Sequence, residues 1–290
     1  MAFFRVGRVF APGWTGFDMA AQDPAGWLVG AWRGIEDGED AADQVAGFAS
    51  RGTNRAVVFG TGFLDTGAGF VGGTVVGIAV QVAGDRGTSA LLFGTSLPTP
   101  QFQALTAGGG GAAFWQVALA GDDAMRGGPD NDRLLGHGGN DVIDGGVGND
   151  TILGGGWRDT LIGGAGDDVL RNGAGRDAFV FRSAQHGADR IKDFDPASDR
   201  IWLDSGAADF AGLGSGGLAR RAFALGPAAQ DRSDRVIYDP ATGILRFDAD
   251  GIGAEAPVIL ARMAAGLDLT AAHVRLVDVA PLLELPDFPL

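Results

Sequence analysis

The sequence predicts an all-β protein: a parallel β-roll of seven nonapeptide repeats, flanked by an N-terminal β-rich domain and a C-terminal β-rich cap. Three observations lead to this fold class. Glycine supplies 51 of the 290 residues, which is more than twice its usual share of about 7%. The 36 acidic residues comprise 32 Asp and four Glu, a ratio that favours tight turns over helices. The third observation is a strict nine-residue period in the middle of the chain.

This period runs without a gap from Ala118 to Val180 and divides the segment into seven units. The units read ALAGDDAMR, GGPDNDRLL, GHGGNDVID, GGVGNDTIL, GGGWRDTLI, GGAGDDVLR and NGAGRDAFV. Position 6 is always Asp, at Asp123, Asp132, Asp141, Asp150, Asp159, Asp168 and Asp177. Position 8 is always a large apolar residue, at Met125, Leu134, Ile143, Ile152, Leu161, Leu170 and Phe179. Such regularity is typical of a repeat architecture.

Each unit is predicted to form a six-residue turn followed by a three-residue strand. The turn glycines let the backbone aim several carbonyl oxygens at one point. The single apolar side chain points inward, because side chains alternate along a strand. One unit cannot bury that side chain alone, so two units form an 18-residue coil and successive coils stack about 4.8 Å apart. Units n and n+2 then place their Asp residues in register along one edge.

A ladder of stacked carboxylates opposes folding unless cations lie between its rungs. Ca²⁺ takes six to eight oxygen ligands and combines carboxylates with backbone carbonyls, whereas Mg²⁺ demands a small octahedral cage and zinc lacks its preferred ligands here. Pairing units n and n+2 predicts about five Ca²⁺ ions, at Asp pairs 123/141, 141/159, 159/177, 132/150 and 150/168. The candidate backbone ligands are Gly128, Asp130, Gly136, Gly138, Gly139, Gly146, Gly148, Gly155, Gly164, Gly166, Gly173 and Gly175. Without metal, we expect the roll to be unfolded.

The repeat block resembles the RTX (repeats-in-toxin) family, whose nonapeptide is GGxGxDxUx. The segments that begin Asp177-Ala-Phe, Asp189-Arg-Ile and Asp199-Arg-Ile, and the stretch 237–251, are similar to the C-terminal cap of serralysin-type RTX domains. The resemblance covers about residues 118–275. It implies calcium binding and export through type I secretion machinery, guided by an uncleaved C-terminal signal.

These patterns divide the chain into an N-terminal β-rich domain (1–117), the RTX β-roll (118–180), a C-terminal β cap with short helices (181–275) and a tail (276–290). The tail is a candidate secretion signal or an ordinary edge strand. Within the first domain we expect strands over 55–60, 69–83 and 89–95 and short helices over 39–50 and 99–107. Trp14, Trp27 and Trp32 are candidates for a ligand platform or for core positions.

Four local features of the repeat and its neighbourhood are informative. Trp157 replaces a turn glycine, so its loop is expected to be distorted or its side chain to turn outward. The first unit lacks the Gly-Gly pair, which predicts a half-formed site at Asp123. The segment Asp248-Ala-Asp250-Gly251 begins like an EF-hand loop but lacks the later ligands, so a plain turn is favoured. His137 is expected to lie exposed in a turn of the roll.

Composition excludes several classes of protein. A formal net charge of −14 argues against binding nucleic acid or anionic membrane surfaces. Without cysteine there is no disulfide, no Cys-ligated zinc and no thiol nucleophile. No window of 18 uninterrupted apolar residues predicts a membrane span, and the N-terminus does not read as a Sec signal peptide.

The sequence therefore indicates a calcium-binding, exported bacterial protein, secreted or held at the cell surface. We expect its roll to fold on Ca²⁺ outside the cell. The chain then acts as a surface, adhesive or assembly component, through self-assembly or a cell-surface partner. It has no His-Glu-x-x-His motif, and Gly94-Thr-Ser96-Leu-Pro fails the Gly-x-Ser-x-Gly pattern, so we do not expect an enzyme. The alternative is a secreted hydrolase or lyase with an unrecognised active site in 1–117.

Overall fold

The computed structural model describes residues 116–117 and 119–282, preceded by the strand segments 35–37, 44–51, 54–61, 64–65, 70–71, 74–81 and 90–98. Among these residues no helix is long and apolar enough to cross a membrane. The described chain is almost entirely strand and turn, which confirms the predicted all-β class. The domain boundaries stay a prediction.

The strands before the repeats form a largely antiparallel sheet. They are β1 (Ile35–Asp37), β2 (Gln44–Arg51), β3 (Asn54–Thr61), β4 (Leu64–Asp65), β5 (Phe70–Val71), β6 (Thr74–Gln81) and β7 (Ala90–Pro98). Strands β1, β2, β3, β6 and β7 are neighbours in that order, and β4 pairs with β5.

The strands expected over 55–60 and 89–95 are present as β3 and β7, and the run 69–83 contains two strands, β5 and β6. The helix expected over 39–50 is wrong from Gln44 onward, because Gln44–Arg51 pairs antiparallel with β3. Its Val and Phe residues favour a strand, and its Gly residue disfavours a helix. The helix expected over 99–107 and the platform of Trp14, Trp27 and Trp32 lie outside the described residues.

The seven repeat units contribute one strand each. They are β8 (Ala124–Gly127), β9 (Arg133–Gly138), β10 (Val142–Val147), β11 (Thr151–Trp157), β12 (Thr160–Ala165), β13 (Val169–Gly175) and β14 (Ala178–Phe181). Alternate strands pair in parallel: β8, β10, β12 and β14 in one sheet, and β9, β11 and β13 in the other.

The register confirms the predicted stacking of units n and n+2. Ile143 lies opposite Met125 and Leu161 in one sheet, and Ile152 lies opposite Leu134 and Leu170 in the other. All seven position-8 side chains are at most 2% exposed. They form the two facing apolar columns that a single unit could not bury.

The parallel stacking continues beyond Val180. Strand β15 (Asp189–Ile191) pairs with β13 and β16 (Arg200–Asp204) pairs with β14. The remaining strands are β17 (Gly216–Gly217), β18 (Phe223–Leu225), β19 (Val236–Asp239), β20 (Ile244–Phe247), β21 (Val258–Arg262) and β22 (Val274–Val277). Strand β21 adds in parallel to β15, and β22 adds in parallel to β16. The 3₁₀ helices are Ala208–Leu213, Arg220–Ala222, Ala271–His273 and Ala280–Leu282.

Both ends of the roll are covered by antiparallel sheet. Strand β7 pairs antiparallel with β8, with Leu92 opposite Met125, so the N-terminal sheet and one face of the roll form a single twelve-stranded sheet. At the other end the β19–β20–β21 meander extends the second sheet to eight strands. There the core broadens around Tyr238, which is fully buried and donates its hydroxyl to the Ala264 carbonyl at 3.0 Å.

Candidate metal centre

The seven position-6 aspartates form two buried rows of side chains, which we call the inner ladder. Each is at most 3% exposed. We call each hydrogen-bonded pair of aspartates in adjacent coils a rung. In these rungs the backbone N–H of one Asp donates to Oδ1 of the Asp 18 residues later. On one edge these are Asp123 to Asp141 (2.9 Å), Asp141 to Asp159 (3.0 Å) and Asp159 to Asp177 (2.8 Å). On the other edge they are Asp132 to Asp150 and Asp150 to Asp168, both 2.7 Å.

The second carboxylate oxygen of most of these aspartates lacks a hydrogen-bond partner. Oδ2 of Asp141, Asp150, Asp159 and Asp168 is buried and has no hydrogen-bond partner, and neither oxygen of Asp123 has one. A buried carboxylate without a partner is costly. These oxygens therefore need either protons or a cation.

The Oδ2 atoms of Asp141, Asp150, Asp159 and Asp168 each lie beside the position-1 glycine of their own unit. A Cβ placed on Gly145 would overlap Asp150 Oδ2 and the carbonyl oxygen of Gly163, and a Cβ on Gly136 would overlap Asp141 Oδ2 and the carbonyl oxygen of Gly154. The missing side chain thus leaves a cradle in which a carboxylate oxygen and a backbone carbonyl oxygen meet. Hard oxygen donors of this kind suit Ca²⁺.

The available ligand atoms indicate how a cation would be coordinated. No group of three or more His, Cys, Asp or Glu side chains converges on one point within the described part of the chain. A cation between two rungs would therefore take its remaining oxygens from backbone carbonyls, as Ca²⁺ commonly does.

Burial dominates the electrostatics of these carboxyls. It raises the pKa of Asp123 and Asp150 to about 8, that of Asp141 and Asp159 to about 7, and that of Asp168 to about 6. The charge of the next Asp on the same edge raises the pKa of Asp123, Asp141, Asp150 and Asp159 further. If it folds without metal, the roll must therefore hold protons on these carboxyls near neutral pH, and a divalent cation would displace them.

Comparison with known proteins assigns the segment that carries this geometry. The family model of the RTX calcium-binding nonapeptide repeat (4 copies) matches residues 117–152 and 144–179. Residues 117–179 are an RTX calcium-binding β-roll. No curated protein matches the chain.

One solved structure similar to the chain is the solution structure of the AlgE6R3 subunit from the Azotobacter vinelandii mannuronan C5-epimerase. The two sequences are 27% identical over 58% of this chain and 83% of that chain, with a TM-score of 0.23. At that TM-score the two structures do not superpose as wholes, and the epimerase activity is that protein's own.

The inner ladder of the RTX roll extends beyond the seven repeats. Asp168 N–H donates to Asp189 Oδ1 (3.1 Å), and Asp177 N–H donates to Asp199 Oδ1 (3.2 Å). Both added residues are at most 5% exposed. Burial, followed by the charge of Asp168, raises the pKa of Asp189 to about 8.

The exact nine-residue period does not predict these two rungs. A weaker sequence pattern is nevertheless present at both. Asp189-Arg-Ile191 and Asp199-Arg-Ile201 keep the Asp and the apolar residue two positions later, and Gly187 precedes Asp189 as in a regular unit. Three inserted residues, 181–183, and one at 193 shift the phase. The hydrogen-bonded spacing is accordingly 21 and 22 residues instead of 18.

A second row of side chains, which we call the outer ladder, was not anticipated. It consists of position-5 residues on the exposed side of the turns, where a side-chain oxygen accepts the backbone N–H of position 5 two units later. The bonds are Asn140 to Asp122 (2.6 Å), Asn149 to Asn131 (2.7 Å), Arg158 to Asn140 (3.1 Å), Asp167 to Asn149 (2.8 Å) and Ala188 to Asp167 (2.8 Å). The donor is the later residue here and the earlier one in the inner ladder.

The candidate backbone ligands lie in the later parts of the repeat strands and in the turns that follow them. Seven have positive φ, a conformation that glycine adopts without strain: Gly139, Gly146, Gly148, Gly155, Gly164, Gly166 and Gly173. The other five are Gly128, Asp130, Gly136, Gly138 and Gly175. Gly128 N–H donates to Asp132 Oδ2 at 2.5 Å. Their role as ligands stays a prediction.

The atypical residues behave in different ways. Trp157 adopts φ +85° and turns its side chain outward, 74% exposed, while its backbone keeps register with Gly175. The expectation that His137 lies exposed in a turn is wrong: it lies near the end of β9 with φ +69° and is partly buried, and this burial lowers its pKa.

The segment after β20 is a turn, as favoured. Asp248 Oδ1 accepts the backbone N–H groups of Asp250 (3.2 Å) and Gly251 (2.8 Å). Asp250 Oδ2 accepts those of Ala254 and Glu255. The carboxylates stabilise the loop backbone in the manner of Asx turns.

Proposed function

We propose that this chain is an exported calcium-binding protein whose RTX roll folds when Ca²⁺ enters the inner ladder, and that it serves as a surface, adhesive or assembly component. The observation that carries the proposal is the row of buried Oδ2 atoms without partners, at Asp141, Asp150, Asp159 and Asp168. Each lies in a cradle that only glycine leaves open.

The energetic weight of calcium supports coupling between binding and folding. A site at ten times its Kd adds about 1.4 kcal/mol to stability. Five such sites add about 7 kcal/mol, which is comparable with the whole net stability of an ordinary domain. Ionising the inner ladder without a cation would instead place unpaired charges in a dry interior.

Export follows from the same coupling. Where free calcium is scarce, as in the cytosol, the roll stays loose enough to thread the type I secretion machinery. Where calcium is plentiful, the roll folds and cannot slip back. We propose the tail 276–290 as the signal that this machinery reads. Its first residues belong to β22, and residues 283–290 lie outside the described part.

The pairing of β7 with β8 supports a role in presenting the N-terminal domain. Strand β8 has only four residues, and it is held between β7 and β10. Calcium that orders the roll would also order the strand on which the N-terminal sheet is built. That sheet would then contact a cell-surface partner or another copy of the chain. The alternative of a hydrolase or lyase site within 1–117 stays a prediction.

Far-UV circular dichroism of the full chain tests the calcium step. We expect the β signal of the roll to appear in millimolar Ca²⁺ and to be absent in EGTA, with equimolar Mg²⁺ as the control that restores little of it. A roll that is already β-rich in EGTA at pH 8 would contradict the proposal.

A secretion assay tests the export step separately. Removing residues 276–290 should leave the chain inside cells that carry a type I transporter, while the purified truncated protein still binds calcium. Undiminished secretion of the truncated chain would contradict the export proposal and leave calcium binding intact.

A further inference from the structure

Position 1 of the repeat is glycine in the second to sixth units, at Gly127, Gly136, Gly145, Gly154 and Gly163. In each, a Cβ would overlap Oδ2 of the Asp in the same unit. The seventh unit places Asn172 at this position. The cradle beside Asp177 is therefore filled by a side chain.

The Asn172 side chain occupies the place between two rungs. It is 1% exposed, and its Nδ2 donates to Asp177 Oδ2 and to Asp199 Oδ2, both at 2.8 Å. Asp199 Oδ2 also accepts the backbone N–H of Asp195 at 2.8 Å. At this rung both Oδ2 atoms have partners, in contrast to those of Asp141 and Asp150.

The chemistry of an amide explains the contrast. The NH₂ group carries two donors, which is one for each carboxylate that faces it. It satisfies the two oxygens without adding an ion, and it points hydrogens at the centre of the rung, where a cation would need lone pairs. In this orientation Asn172 Oδ1 is buried without a hydrogen-bond partner, whereas Oδ1 turned toward the two carboxylates would repel them unless a cation lay between.

We propose that Asn172 takes the place of Ca²⁺ at rung 177/199. The calcium sites of the inner ladder then end at rung 168/189, where position 1 is Gly163 and Asp168 Oδ2 is unpartnered. Rung 177/199 is the calcium-free end that joins the repeats to the cap. This inference rests on the proposed calcium binding of the other rungs.

Counting bound ions in the full chain tests the assignment. Equilibrium dialysis with radioactive calcium gives the stoichiometry of the wild type and of Asn172→Gly, Asp199→Asn and Asp189→Asn. Asn172→Gly restores the open cradle and should bind one more ion than the wild type. Asp199→Asn should leave the count unchanged, and Asp189→Asn, the matched control at the open rung, should lower it by one.

The outcomes distinguish an Asn172 that replaces Ca²⁺ at rung 177/199 from an Asn172 that binds it. An unchanged count in Asn172→Gly, with a wild-type circular dichroism spectrum in saturating calcium, overturns the proposal. So does the loss of one ion in Asp199→Asn, which would mean that Asn172 turns Oδ1 toward a bound cation. If Asn172→Gly does not fold, Asp199→Asn against Asp189→Asn decides alone. A wild-type chain that binds no calcium at all refutes the proposed function instead.

Discussion

The inner and outer ladders use neighbouring residues of the same turn and reach opposite solutions. In both, a side-chain oxygen accepts a backbone N–H from a unit in the adjacent coil. The outer ladder mixes Asp and Asn and lies exposed, as at Asn149, so water can satisfy the atoms that the coil does not. The inner ladder is strictly Asp and buried, as at Asp150, and Oδ2 of Asp141, Asp150, Asp159 and Asp168 has no hydrogen-bond partner.

The comparison shows that stacking alone does not select for carboxylates. An amide or a carboxylate oxygen closes the coil-to-coil hydrogen bond equally well in the outer ladder. What distinguishes position 6 is the second oxygen, which is buried beside a glycine cradle. The requirement for Asp is therefore a requirement for the second oxygen, and that oxygen is the one available to a cation.

The largest expected effect is that of pH on the metal-free roll. Because burial raises the pKa of several inner-ladder carboxyls from 3.8 to between about 6 and 8, the folded roll binds more protons than the unfolded chain across that interval. Stability without metal must then fall as pH rises. In EGTA we expect a stronger β signal in circular dichroism at about pH 5.5 than at about pH 8.

Calcium should reverse this dependence, because the metal binds the ionised carboxylate. Affinity should rise over the same interval. At about pH 5.5, where we expect the metal-free roll to be folded and protonated, calcium binding should release protons, measurable by calorimetry in buffers of different ionisation enthalpy. Calcium binding at about pH 5.5 without proton release would show that the inner ladder is already ionised in the absence of metal.

The next effect in size is that of Asp150→Asn. Asp150 belongs to rungs 132/150 and 150/168, so the variant should lose two ions. At calcium ten times Kd that loss is worth about 3 kcal/mol. The measurement is calcium stoichiometry together with urea unfolding in saturating calcium. A variant that keeps the wild-type ion count would remove Asp150 from the ligand set.

Filling one cradle should have a smaller effect. Gly145→Ala places a methyl group against Asp150 Oδ2 and the Gly163 carbonyl, and we expect a loss of about 1–3 kcal/mol in thermal or urea unfolding. The matched control is Gly156→Ala, where a Cβ meets nothing within 4 Å. Equal losses in both variants would mean that the cradle has no special role.

The regular part of this architecture could be read from the sequence because nine-residue spacing fixes both the apolar column and the Asp register. Reliance on a strict nine-residue period also limited the prediction of ladder residues. The insertions 181–183 and 193 shifted the phase and hid Asp189 and Asp199, although the Asp-Arg-Ile pattern was present at both. The outer ladder escaped because position 5 varies among Asp, Asn and Arg. Nothing in a single unit says which of its oxygens faces another coil.

Other features depend on contacts that no local pattern encodes. Asn172 stands at a position where five other units have glycine, and its two hydrogen bonds form only because the coil brings Asp199 next to Asp177. The junction of β7 with β8 is also non-local. The Gln44–Arg51 segment was misread because antiparallel pairing with β3 outweighs a weak helical pattern.

The smallest expected effect is that of Asn149→Asp, the reverse substitution in the outer ladder to Asp150→Asn in the inner ladder. Asn149→Asp places a carboxylate in the outer ladder, where Oδ1 can still accept the Asp167 N–H now seen at 2.8 Å. Asp122 and Asp167 already occupy this ladder as carboxylates, and the site is exposed, so water solvates the added charge. We expect a change within about 0.5 kcal/mol and an unchanged calcium count in the same two assays. If the two swaps cost alike, burial is not what separates the ladders. If Asn149→Asp gains an ion, the outer ladder also binds calcium.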